Sequence, residues 1–127
     1  MIGYATVGTN DLPRAAAFYD AVLAELGAKR LWEVDRGISW GVAMDKPSLG
    51  VMKPFDGKPA SCGNGNMVAL VVQKLEQVDA VHRKALAAGG TDEGPPGPRG
   101  SGGFYGGYFR DLDGNKLNVF FMPAAST

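Results

Sequence analysis

The chain has 127 residues, of which 45% are hydrophobic and 20% charged, so it suits a single packed domain and excludes general disorder. Thirteen Lys and Arg balance thirteen Asp and Glu, which leaves no basic excess for a nucleic-acid partner. A single cysteine excludes an intrachain disulfide or thiolate cluster and fits a reducing, cytoplasmic compartment. No apolar run approaches the roughly 20 residues of a membrane span, so neither nucleic acid nor membrane is an expected partner. Met1 leads directly into strand-like sequence, with no leader pattern.

The first element is a strand at Tyr4-Ala5-Thr6-Val7. A helix follows, with Asp11 as its cap and Pro13 in the first turn, where a missing N–H costs nothing. Ala15, Phe18, Tyr19, Val22, Leu23 and Leu26 recur at helical spacing and form one apolar face. Gly27 stands where a left-handed residue ends a helix. Three strand-like runs come next, at about 29–35, 38–44 and 48–53. A linker rich in Pro, Gly and Ser occupies about 54–65.

The second half repeats the pattern at an offset of 63 (67 − 4). Met67-Val68-Ala69-Leu70 aligns with the first strand, Leu75 with Leu12, Val81 with Phe18, Leu86 with Leu23, and Gly90 with Gly27. The second helix carries Val78, Val81, Ala85 and Leu86, and Gly89-Gly90 stop it. Thr91 to Gly103 is dense in Gly and Pro and reads as a long loop, with a weak strand signal near 91–93. Strands at about 104–110 and 115–122 are joined by Asp111-Leu112-Asp113-Gly114-Asn115, whose Asp-Gly is a hairpin signal.

These elements predict an α+β domain over residues 1–127, built from two βαβββ modules at about 1–53 and 66–122. Together the modules form a curved mixed sheet with helices outside and a concave pocket inside.

Thr9-Asn10-Asp11-Leu12-Pro13-Arg14, running into Phe18-Tyr19, resembles the opening motif of vicinal-oxygen-chelate proteins. Gly63-Asn64-Gly65 and Tyr108-Phe109-Arg110-Asp111-Leu112-Asp113-Gly114-Asn115 resemble the motifs of that family's second module, with Leu112 where proline is commonest. The resemblance, to the glyoxalase/bleomycin resistance/dioxygenase group, covers about residues 1–122. It implies a paired chain and, in the family's enzymes, a divalent metal held by His, Glu or Gln on four strands. In this sequence those positions carry Tyr4, Gly50, Met67 and Asn118, none of which supplies imidazole or carboxylate. No cofactor is therefore expected.

The same positions and their neighbours suggest a ligand pocket of Tyr4, Trp40, Met52, Met67, Tyr105 and Asn118, with Tyr4 and Asn118 as hydrogen-bonding groups. Two of the aromatics Trp32, Trp40, Phe55, Phe104, Tyr105 and Phe109 are expected to line it, the rest to pack in the core. His82 reads as a helix-flank or core histidine, Cys62 as an exposed linker thiol, and Arg110, Asp111 and Asp113 as turn-shaping residues. Lys53 and Lys58 flank a loop where an anion can approach. Three functions stay open. The first is a metal-free small-molecule binding protein acting as a homodimer. The second is a lyase or dioxygenase with a non-standard site, in which Tyr4 would need a pKa moved far from its usual ~10 to act as a base. The third is an interaction module with no ligand.

Overall fold

A computed structural model describes residues 1–123. Its elements run β1 (Tyr4–Gly8), α1 (Leu12–Ala24), β2 (Lys29–Val34), β3 (Gly37–Gly41), β4 (Ser48–Met52), β5 (Val68–Val71), α2 (Leu75–Ala87), β6 (Thr91–Pro98), β7 (Tyr105–Arg110) and β8 (Lys116–Phe121). The two helices stand 63 residues apart at both ends, the spacing of the sequence repeat.

Each module forms one mixed sheet, ordered β1-β4-β3-β2 and β5-β8-β7-β6. In both, the first strand runs parallel to the last and the other pairs are antiparallel. The eight strands thus make two four-stranded sheets and not one continuous hydrogen-bonded sheet, and β1 and β5 are each the edge of their own.

Period-two alternation assigns the sheet faces. In module one Ala5, Val7, Ile38, Trp40, Leu49 and Val51 share the face packed against the helices. Tyr4, Thr6, Ser39, Gly50 and Met52 share the opposite, open face. In module two the helix-facing set is Val68, Leu70, Phe109, Leu117 and Val119, and Ala69, Tyr108, Asn118 and Phe120 take the open face.

Helix α1 begins where Asp11 accepts a hydrogen bond from the Arg14 N–H at 3.1 Å, with Pro13 in the first turn. It buries Leu12, Ala15, Ala16, Phe18, Tyr19, Val22 and Leu23. Phe18 meets Tyr19 edge-on at 5.0 Å, Tyr19 lies 5.6 Å from Trp40, and Phe18 lies 6.4 Å from Phe109 of module two. One aromatic row thus joins both sheets into a single core. Each of these side chains contributes about 1.5–3 kcal/mol of apolar burial.

Gly27 has φ +74 and ends α1 as expected, but Gly89, with φ +102, does the equivalent work in module two. Gly90 is needed for space: a Cβ there would lie 2.7 Å from the Arg110 carbonyl and 2.9 Å from the Ala85 carbonyl. The expected loop from Thr91 to Gly103 is corrected by β6, which extends to Pro98. Register shifts after Asp92 and after Gly94 leave Pro95 and Pro96 outside the ladder with β7. An edge strand tolerates such bulges and the missing N–H groups. β3 stops at Gly41, short of the expected 44.

No helix among the described residues is long and apolar enough to cross a membrane.

Candidate functional site

The β1–α1 loop bonds the first half of the chain to the second. Thr9 Oγ1 donates to Asp113 Oδ2 at 2.6 Å, and the Asn10 N–H donates to Asp113 Oδ1 at 2.9 Å. The Asn10 side chain holds the linker, accepting from the Ala60 N–H at 2.6 Å and donating to its carbonyl at 3.2 Å. Asp111 accepts from the Asp113 and Asn115 N–H groups, both at 2.9 Å, and from the Tyr19 hydroxyl at 2.5 Å. Burial first, and the Asp111 charge second, push the Tyr19 hydroxyl well above its ordinary pKa. Asp111 shapes its turn as expected, whereas Asp113 spends both carboxylate oxygens on module one.

His82 is buried on α2, with Nε2 3.0 Å from Asp92 Oδ1 and 3.2 Å from the Tyr108 carbonyl oxygen. Asp92 is held below the usual carboxylate range, first by the Gly94 N–H and then by His82. The pair fastens α2 to the first bulge of β6. Cys62 is exposed, and its Sγ lies 3.0 Å from the Asp113 carbonyl oxygen.

The six proposed ligand residues do not converge on one place. Tyr4 and Met52 line a depression of about 600 Å³ on the open face of module one, together with Thr6, Trp32, Arg36, Lys53 and Phe55. Trp40 and Met67 line a different, apolar crevice of about 890 Å³, with Leu23, Leu26, Leu49 and Leu70. That crevice runs along β5, whose residues of both faces line it together with Leu23 and Leu26 near the end of α1, and Trp40 itself is buried with its Nε1–H donating to Asp20 at 2.9 Å. The Arg30 guanidinium, followed by Trp40, holds the Asp20 carboxyl below its usual range. Tyr105 belongs to the helix side, where its hydroxyl donates to Asp79 of α2 at 2.7 Å. Asn118 takes the open face of module two but is buried, its Nδ2 donating to the Gly107 carbonyl at 3.0 Å.

Of the six aromatics weighed from sequence, Trp32 and Phe55 line the Tyr4 depression, Trp40 the crevice and Phe109 the core. Phe104 stacks on Phe120 at 5.2 Å. Trp32 and Arg36 line the depression in addition to the residues expected from sequence, and the alternation that exposes Tyr4 and Thr6 also predicts a floor on that face. The signal was obscured by the register shift between Arg30 and Trp32, which sets the face that Trp32 takes. Ser39, in register with Gly50 on the same face, is buried, and its hydroxyl lacks a partner among the described residues.

Tyr4, Gly50 and Asn118 lie on the open faces, where a chelate would need its donors, and Met67 immediately precedes β5. A phenol, a glycine, a thioether and an amide already bonded to a carbonyl do not fit a divalent metal site. Among the described residues no group of three or more His, Cys, Asp or Glu side chains is placed to hold a metal ion.

The open-faced double module is a known architecture. A glyoxalase/bleomycin resistance protein from Albidiferax ferrireducens T118 superposes with TM-score 0.89 at 36% identity, over 97% of this chain and 99% of that one. A glyoxalase-related enzyme from Fulvimarina pelagi shares the fold at TM-score 0.75 and 22% identity, over 99% and 93% of the two chains. So does lactoylglutathione lyase from Agrobacterium tumefaciens, at TM-score 0.69 and 18% identity, over 95% and 92%. No curated protein matches the sequence. The family model described as Glyoxalase/Bleomycin resistance protein/Dioxygenase superfamily matches residues 1–119, and the chain belongs to that superfamily.

Proposed function

We propose that this member of the superfamily is a small-molecule binding protein that works without a metal and pairs with a second copy of itself. The observation that carries the reading is the chemistry at the chelate positions: Tyr4, Gly50, Met67 and Asn118 offer no imidazole or carboxylate, while Tyr4 and Met52 line an open depression. A binding role needs concave surface with a few polar groups, and the depression offers both.

Pairing is supported by the sheet edges. β1 and β5 are edge strands, and Ile2, Tyr4, Met67 and Val71, on or just before them, are 63%, 67%, 46% and 58% exposed. Apolar edges of this kind are normally covered. Sedimentation velocity at micromolar concentration is expected to give twice the chain mass.

The reading is tested by elemental analysis of tag-free protein purified without chelator, followed by a broad thermal-shift screen of small molecules. Sub-stoichiometric metal and at least one saturable stabilising ligand are expected. Retained stoichiometric metal, or turnover of a hemithioacetal or catechol, would move the protein to the lyase or dioxygenase reading.

A further inference from the structure

We infer that the depression on module one receives a planar aromatic anion, of the chemical class of an aryl carboxylate; this rests on the small-molecule reading above and names its ligand. The walls are aromatic. Tyr4, Trp32 and Phe55 are 67%, 36% and 90% exposed around one cavity, with Met52 beside them. Rings left this open gain from being covered, and a flat aromatic ligand covers them with offset or edge-on contacts.

The charge is supplied by Arg36 and Lys53. The Lys53 N–H donates to the Arg36 carbonyl at 2.7 Å, which ties the β2–β3 turn to the end of β4, and both residues line the cavity. Arg36 lies 5.1 Å over the Phe55 ring. Neither cation forms an ion pair among the described residues, whereas Arg14, Arg30 and Arg110 all do. The single acid in the lining, Asp56, already accepts the Lys58 N–H at 2.9 Å. Two uncommitted cations against one carboxylate select an anion.

Module two repeats the arrangement independently. Arg99 and Lys116 each lie 5.5 Å over the Tyr108 ring on its open face. The acids Asp20, Glu33 and Asp79 sit on the helix-facing side, committed to Arg30 and Tyr105. Cations thus lie beside aromatic rings on the open faces of both modules.

The test is calorimetric titration of the intact protein with 1-naphthoate, its neutral amide and 1-naphthylmethylamine. The acid is expected to bind at least about tenfold more tightly than the amide, with the amine weakest, and the preference should shrink as salt screens the cations. The variant Arg36→Gln/Lys53→Gln, confirmed folded by circular dichroism, should lose the preference, with the acid binding no more tightly than the amide. Equal or tighter binding of amide or amine, a preference that survives in the double variant, or no binding of all three overturns the inference. The broad screen separates the two levels. Other ligands bound without the naphthoate would remove the anion assignment alone, and no ligand at all would remove the binding reading with it.

Discussion

Asp113 shows how a residue's sequence context can hide its task. In the sequence it belongs to a turn motif, and the sequence predicts a turn role. In the fold its carboxylate accepts from the hydroxyl of Thr9, a residue 1% exposed, and from the Asn10 N–H. Asp113→Ala strands a buried hydroxyl and a backbone donor, so a loss of about 2–3 kcal/mol is expected from urea unfolding midpoints. Asp113→Asn, which can still accept, should lose less. Tyr19 gives a pH signature. Its folded-state pKa is raised above the unfolded value of ~10, so the stabilisation is whole below that pH and declines as pH rises through the folded value. Tyr19→Phe should therefore be less stable at neutral pH by about 1–2 kcal/mol and lack the steep alkaline decline of the parent. Parallel alkaline unfolding curves for the two proteins would sink this account.

Among the elements, the helices were the most legible. Asp11, Pro13 and Gly27 mark the ends of α1, and the 63-residue offset carries those ends onto Leu75–Ala87. β6 was legible only at its start, near 91–93, because proline and glycine speak against a regular strand unless it lies at an edge and is bulged, and position within a sheet is a tertiary fact. For the same reason the sequence could not say which Trp faces the depression. A register shift beside Trp32 decides that, and nothing in the local pattern announces it. Gly90→Ala tests the close approach of α2 and β7. Its Cβ would press on two carbonyl oxygens that belong to backbone, so a loss of about 1–3 kcal/mol in stability is expected. Gly3→Ala, with open space around it, should change little.

At the level of the whole molecule, the repeat and its βαβββ topology were visible in the sequence, while the way the modules share a core was not. Phe18 and Phe109 are distant in the chain, and only the packed fold shows them 6.4 Å apart. The candidate site divided along the same line. Residues chosen by family position, such as Tyr4 and Asn118, fell on open faces, but those chosen as generic aromatics, Trp40 and Tyr105, turned toward the helices, because aromatic residues mostly serve the core. The pairing proposed through the edges of β1 and β5 predicts that Val71→Lys shifts sedimentation toward monomer at matched concentrations. Unchanged sedimentation would remove β5 from the interface.

The bond between Thr9 and Asp113 closes a separation of 104 residues. During synthesis the hydroxyl therefore emerges long before the carboxylate that receives it. The first module, though complete in strands and helix, emerges before Asp113 and Asp111, the acceptors for the Thr9 and Tyr19 hydroxyls. Two copies of one motif usually suggest two independent folding events. Here the second copy supplies finishing contacts of the first, so the bonds that complete the early half form only once the last hairpin has been made.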